Sequence, residues 1–428
     1  MADSVQKLLD RLAAGELPSL TESVALLEAT GADEELIYAR AAALTRQHHG
    51  DLIYLRGVIE FSNFCTNRCH YCGIRAPSRT VNRYRMTPEE ILETARKIQA
   101  ARCGTVVLQS GVDPYYSAER LAELIRRIKS ETALAVTLSI GTKTYAELAL
   151  LKEAGADRCL LRFETSDRQL FSTIHPDESF EERIECIRNI RRLGYQTGSG
   201  FMIGLPGTST TTIARDLLFA IGLDLDMIGC GPFVPGAETP LAEYSSIGDH
   251  SICYKTIALL RITNPLAHIP AATAFDALTR GGRDRVLRCG ANVFMPNFTP
   301  AQYRDDYKLY ARKPQVDASV DIYEAVSARI RRLGRSVSSA SGHALRVKHK
   351  PHCGLPEKGP MMNQITVNGK EYALEGCSTL TELFGKLAIR PEQMAVELNG
   401  EIIPGHALAT TAIQAGDRME IIQFVGGG

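Results

Sequence analysis

The chain has 428 residues, enough for two or three domains and a large buried core, so a small disulfide-stapled scaffold is excluded. It is 44% hydrophobic and 23% charged, with 49 basic residues against 49 acidic, which argues against a disordered tail protein and a strongly cationic nucleic-acid binder. The zero is a sum of three blocks: Met362 to Gly428 carries four basic and eight acidic residues, Arg329 to Pro360 eight and one, and the remainder 37 and 40.

Residues 1–50 predict an N-terminal helical segment, with Leu26, Leu27, Ile37 and Leu44 among its apolar positions. From Leu52 the pattern changes to short apolar runs, each followed by a longer amphipathic stretch. The runs lie at 52–62, 105–111, 134–141, 158–165, 195–205, 227–234, 268–275 and 291–297. Eight alternations in about 250 residues predict a closed (β/α)8 barrel over 51–335, with chemistry at the C-terminal ends of its strands. A Ser, Gly, Pro and basic stretch without periodicity predicts a linker over 336–360. Residues 361–428 then alternate strand and turn around one helix, with Asn368-Gly369 and Asn399-Gly400 as turns and glycines at the end, and predict a compact α+β domain.

Eleven cysteines, an odd number, and a polar start without a secretory apolar region predict a reducing, cytoplasmic location. No apolar run approaches the roughly 18 to 20 residues of a membrane span, so no membrane partner is expected. Eight of the cysteines stand alone and are read as small buried hydrophobes. The other three, Cys65, Cys69 and Cys72, form CTNRCHYC immediately after the first strand. Three thiolates so spaced on a loop can bind three irons of a cubane cluster and leave the fourth iron open. Zinc is the competing reading, with His70 as a fourth ligand.

The triplet at this place in a barrel resembles the radical S-adenosylmethionine (SAM) enzymes. The stretches IEFSNFCTNRCHYCGIRAPSRTVNRYRMTPEEIL, VVLQSGVDPYY, GADRCLLRFET, GSGFMIGLPGTS, GPFVPGAETPLA and RCGANVFMPNFTPAQYRDDYKLY narrow the likeness, over roughly residues 45 to 335, to the HydE family of hydrogenase maturases, relatives of biotin synthase and methylornithine synthase. The resemblance implies that Cys65, Cys69 and Cys72 bind a 4Fe-4S cluster, and that the enzyme reductively cleaves SAM to a 5′-deoxyadenosyl radical. It further implies Tyr71, Gln109, Ser110, Thr137, Glu164 and Arg183 at the cofactor, Glu164 and Arg183 also in catalysis, and Tyr303, Tyr310 and Thr273 towards the substrate. Some family members carry extra cysteines after the final tyrosine, whereas 311–321 has none, so one cluster is expected. Strand seven, commonly Thr-Thr in the family, reads Ala272-Thr273 here.

The implied substrate is a small organometallic or sulfur-containing precursor in hydrogenase active-site assembly, with an electron donor such as ferredoxin or flavodoxin and other hydrogenase maturases as partners. Biotin-synthase-like sulfur insertion and a methylornithine-type rearrangement are the enzymatic alternatives. The final domain resembles ThiS, the β-grasp (ubiquitin-like) sulfur carrier, through its Asn-Gly turns and the ending AGDRMEIIQFVGGG. That likeness implies a thiocarboxylate at the Gly427-Gly428 terminus and a ThiF-like adenylating partner. A further reading, of another class, is a sulfur-carrier and docking protein whose barrel is inactive.

Overall fold

The computed structural model describes residues 2–244, 249–310, 322–345, 364–368, 370–374, 377–387, 389, 394–398, 401–413 and 417–423. The chain divides into two compact units, Met1–His349 and Lys350–Gly428.

The first unit opens with three helices, α1 (Ala2–Ala13), α2 (Leu20–Glu28) and α3 (Ala32–His49). Parallel strands follow: β1 (Leu52–Ser62), β2 (Thr105–Ser110), β3 (Ala135–Ser139), β4 (Arg158–Leu160), β5 (Gln196–Ser199), β6 (Met202–Ile203), β7 (Met227–Ile228), β8 (Gly231–Pro232) and β9 (Val293–Phe294). The order β1-β2-β3-β4-β5-β7 runs around the sheet, while β6 and β8 pair beyond the ends of β5 and β7. Single bridges from Met227 to His268 and from Pro270 to Val293, with β9 on β1 at Tyr54 and Leu55, complete the ring. The expected eightfold barrel is therefore present. Its seventh position is the shortest, because the run expected over 268–275 turns helical at α11 (Ala274–Leu278).

The helices α4 (Pro88–Ala100), α5 (Ala118–Glu131), α6 (Tyr145–Glu153), α7 (Arg168–Ile174), α8 (Phe180–Arg192), α9 (Thr210–Gly222) and α10 (Ser251–Thr263) separate successive strands. Ser/Thr-x-x-Glu boxes start α2, α4, α6 and α8: Ser19, Thr87, Thr144 and Ser179 each accept the N3 amide while Glu22, Glu90, Glu147 and Glu182 reach back. Each such cap contributes about 1 kcal/mol and fixes where the chain turns from loop to helix. The helices α12 (Gly282–Arg288), α13 (Ala301–Arg304) and α14 (Ile322–Arg331) complete the layer, and Arg329 of α14 is paired with Asp276 and Asp284.

The start of the linker expected over 336–360 is instead part of the barrel unit. Ser336–Ser338 forms β10, which pairs in parallel with Leu52 to Tyr54 of β1. Just beyond it, the Ser341 and Gly342 carbonyls accept hydrogen bonds from the fully buried Arg158 at 2.7 and 3.0 Å, and Gly342 O another from Arg56 at 3.2 Å. Buried guanidiniums need acceptors, and this segment supplies them at the floor of the barrel. The stretch 346–360 lies outside the described residues.

The second unit has a five-stranded sheet ordered β12-β11-β15-β13-β14, where β11 is Gln364–Val367, β12 Lys370–Ala373, β13 Met394–Leu398, β14 Glu401–Ile403 and β15 Arg418–Gln423. Among the described residues of this sheet, β11 and β15 pair in parallel and the other neighbours are antiparallel hairpins or returns. A helix, α15 (Leu380–Lys386), is started by a Thr379/Glu382 capping box. Its Leu380, Leu383 and Phe384 pack on Ile365, Val367 and Met419, as the one-sided pattern of a β-grasp requires. The terminal Gly427 and Gly428 and the turn at Asn399-Gly400 lie outside the described residues.

Candidate active site

The loop after β1 is held by buried polar anchors. Asn63, fully buried, donates to Asn82 O and Asp306 O at 2.8 Å each and accepts from the Tyr84 amide at 2.8 Å. Arg83 donates to Asn63 O, to Ile74 O at 2.8 Å and to Arg75 O at 2.7 Å, so one side chain ties the two ends of the cysteine loop. Two glycines permit its close packing. A Cβ on Gly73 would sit 2.0 Å from Lys308 O, and one on Gly111 2.7 Å from the Cys65 Cβ.

Cys65 and Cys72 are half-buried and Cys69 is buried. The Cys65 sulfur accepts from the Val112 amide at 3.4 Å. Burial pushes the Cys69 thiol up and the Cys72 thiol up to about 12, so both sulfurs are protonated until a metal displaces the proton. Among the described residues, no three metal-ligating side chains are drawn into one ligand set.

Glu164, just past β4, is buried and has a left-handed backbone, φ 65°. It is locked by its amide on Gly200 O at 3.1 Å and its carbonyl on the Met202 amide at 2.9 Å. Its Oε1 accepts from the Tyr71 hydroxyl at 3.2 Å. Arg162 lies 3.0 Å from its Oε2, but without hydrogen-bond alignment. Arg183 of α8 is buried against Glu178 and donates to Arg162 O at 2.9 Å. Thr137 lines a cavity in the barrel with Arg56, Val107, Leu160 and Met227, and its hydroxyl has no partner.

Tyr310 is set against Thr273 and Arg283, with a hydroxyl that makes no aligned hydrogen bond. Gln109 donates to Tyr307 Oη at 3.4 Å, while Ser110 is folded onto the Gly111 carbonyl at 2.7 Å. The structure does not bring Tyr303 into this group. Its hydroxyl donates to Glu90 Oε1 at 2.9 Å, and its ring stacks on Tyr84 with centroids 4.6 Å apart. The tyrosine that is buried beside Gln109 is Tyr307.

Sequence reasoning also missed His175, between α7 and α8. Its Nδ1 lies 3.4 Å from Cys69 Sγ, its Nε2 2.8 Å from the Tyr71 hydroxyl, and its ring stacks on Phe171 at 4.8 Å and 11°. Burial holds it well below the usual histidine range, so the ring is neutral. No motif marks it. A second missed group, Asp216 of α9, receives Thr165 Oγ1 and the Ser166 amide and hydroxyl on one oxygen, and burial pushes it up to about 7.

The residues present fit an iron-sulfur cluster with a polar organic cofactor. Three thiols share one anchored loop at the end of β1, and the buried Glu164 carboxylate has one oxygen on the Tyr71 hydroxyl and the other in an ion pair with Arg162. Within the barrel cavity the buried Thr137 hydroxyl has no hydrogen-bond partner, and such an atom is costly unless a ligand satisfies it.

A model of the radical SAM superfamily matches residues 59–220, and a ThiS family model matches 365–428. The FeFe hydrogenase maturase subunit HydE of Thermotoga maritima is 46% identical over 279 residues, 65% of this chain and 80% of that protein. The 3-methylornithine synthase of Methanosarcina acetivorans is 31% identical over 63% of this chain and 76% of its own length. Among solved structures, methylornithine synthase (PylB) superposes with a TM-score of 0.69 at 27% identity, covering 77% of this chain and 97% of that one. Membership of the radical SAM superfamily implies a 4Fe-4S cluster and SAM. The chain thus belongs to the radical SAM enzymes of the HydE family and carries a ThiS-family domain at its C-terminal end.

Proposed function

We propose that this enzyme acts in assembly of the FeFe-hydrogenase active site, on a small organometallic iron or sulfur-containing precursor bound inside the barrel. The observation that carries the reading is the anchored loop of Cys65, Cys69 and Cys72 beside Tyr71 and Glu164, in a chain 46% identical to a HydE. In this reading the three cysteines hold one 4Fe-4S cluster. When bound, the cluster and SAM supply one-electron reductive cleavage of a sulfonium.

The chain's own residues bind and orient. The Glu164 carboxylate accepts hydrogen bonds from hydroxyl or ammonium groups of the cofactor, and the Thr137 hydroxyl finds its partner there. Tyr71 borders the cofactor, with Gln109, Ser110 and Arg183 completing its surroundings. Tyr310 and Thr273 face the substrate end, joined by Tyr307 in place of Tyr303. The closed ring of strands keeps water from a reactive intermediate. Electrons come from a ferredoxin- or flavodoxin-type donor in the cytoplasm. The ThiS-family domain is read as a carrier whose Gly428 carboxylate is adenylated by a ThiF-like enzyme and becomes a thiocarboxylate, linking sulfur delivery to the barrel and to other hydrogenase maturases.

The likeness to 3-methylornithine synthase favours a second reading, a radical rearrangement of a lysine-like substrate. Anaerobic reconstitution followed by product analysis with an iron-cysteine precursor, dethiobiotin or lysine separates the readings. Turnover of the iron-cysteine precursor is expected. Turnover only of dethiobiotin or lysine overturns the assignment, and a Gly428 thiocarboxylate without deoxyadenosine release would leave a carrier protein with an inactive barrel.

A further inference from the structure

We infer that Asp216 is a positioning residue that aims Glu164, by closing the turn in which that carboxylate leaves the fourth strand. The inference rests on the reading of Glu164 as a residue that binds the cofactor. The turn is tight. The Thr165 amide donates to Phe163 O at 2.8 Å across Glu164, whose φ is 65°, so the three residues form a γ-turn of the rare and strained kind. On the sheet side it leans on the chain after β5, through the Glu164 amide on Gly200 O and the Met202 amide on Glu164 O. The residues that follow Glu164 are held from the helical layer.

Asp216 stands on α9, is 1% exposed, and accepts Thr165 Oγ1 at 3.2 Å, the Ser166 hydroxyl at 2.6 Å and the Ser166 amide on one oxygen. Three positions later on the same helix, Phe219 packs against Phe163 with ring centroids 4.8 Å apart at 74°. Positions i and i+3 share a helix face, so one face of α9 grips the residues on both sides of Glu164. Neighbouring side chains along an extended chain point in opposite directions. With Phe163 and Thr165 both taken by the helix, Glu164 is left to face the other way, where its Oε1 meets the Tyr71 hydroxyl at 3.2 Å. A buried carboxyl group whose donors are all neutral is a costly way to fasten a loop, and a packed apolar residue would serve stability as well. Its use here is explained if the setting of the turn matters. Without the three bonds the strained turn relaxes, and a carboxylate displaced by about 1 Å no longer meets its partner.

The test uses the full-length, anaerobically reconstituted chain, with SAM affinity from equilibrium binding and EPR of the reduced cluster before SAM is added. We expect Asp216→Ala to load its cluster and give the wild-type signal, while SAM affinity falls about tenfold. Asp216→Asn keeps the accepting oxygen and restores the affinity to within about twofold of wild type. Placed on Glu164→Gly, Asp216→Ala costs no further affinity, because the carboxylate it aims is gone. Should Asp216→Ala fail to fold, Ser166→Ala removes one of the three donors from a half-buried position and carries the same comparison, with a loss of about threefold. A purely structural Asp216 would lower the thermal midpoint and leave affinity untouched. Wild-type affinity in the folded variant, or a loss repeated in full on Glu164→Gly, overturns the inference while Glu164 keeps its role. Glu164→Gly chain that binds SAM as tightly as wild type overturns the reading and the inference together.

Discussion

Glu164 holds a left-handed backbone that a non-glycine residue adopts at a cost of roughly 1 to 3 kcal/mol, and it is kept there by its amide on Gly200 and its carbonyl on Met202. Strain of this kind persists where a side chain must stand at a fixed point, and here the carboxylate is presented at the strand end. Replacing it separates the two effects. Glu164→Gly should keep or raise stability by up to about 1 kcal/mol in thermal unfolding, since glycine tolerates the conformation, while SAM affinity falls at least about tenfold in equilibrium binding. Asp216 gives a pH test. Its ordinary value is 3.8 and in the fold it is pushed up to about 7 by burial. Below pH 4 it is protonated in both states. Between about pH 4 and 7 the unfolded chain releases the proton and the folded chain keeps it, so stability falls as pH rises and levels off above 7, by an amount on the order of 4 kcal/mol. All three donors meet Oδ1, which an amide retains, so Asp216→Asn should remove most of that fall in denaturant unfolding measured at pH 4.5 and 7.5. At this scale the places of the cysteines and of Glu164, just past β1 and β4, were legible because a short motif and the end of an apolar run mark them. His175, Asp216 and Tyr307 were not, since each matters through a contact with a distant residue: Cys69 is 106 positions from His175, and Gln109 is 198 from Tyr307.

At the scale of elements, periodicity located the strands because each is a short apolar run followed by a capped helix, and the Ser/Thr-x-x-Glu boxes mark the turns between loop and helix in chemical terms. The seventh strand was over-read: a run as apolar as 268–275 fits a buried strand or a buried helix, and Ala274–Leu278 took the second course. The floor of the barrel was hidden altogether. Ser336–Ser338 is too short and too polar to announce a strand, and its neighbours act through backbone carbonyls that any residue would supply. Ser341 lies 183 positions beyond the Arg158 it satisfies. Arg158→Met should therefore cost about 1 to 2 kcal/mol in urea unfolding, because the Ser341 and Gly342 carbonyls each lose one of two donors, keeping Thr105 Oγ1 and Arg56 respectively. It should also open the segment 336–345 to limited proteolysis; an unaltered midpoint and digestion pattern would show that the floor does not depend on this side chain.

For the molecule as a whole, the balanced charge resolves into a nearly neutral barrel unit, a basic stretch and an acidic ThiS-family domain. The barrel and the β-grasp domain each have their own core and sheet. Among the described residues no helix is long and apolar enough to cross a membrane. One chain joins a barrel of the HydE family to a ThiS-family domain, and the reaction proposed for the barrel depends on one condition: that the triplet of cysteines assembles a redox-active cluster able to act on SAM. The most direct test is EPR of the anaerobically reconstituted and reduced full-length chain, before and after addition of SAM, with deoxyadenosine measured in the same samples. The account predicts about four irons per chain, a reduced-cluster signal that changes on adding SAM, and deoxyadenosine release, all lost in Cys65→Ala, Cys69→Ala and Cys72→Ala. A chain that binds zinc in place of iron, or whose cluster signal is indifferent to SAM and yields no deoxyadenosine, would contradict it.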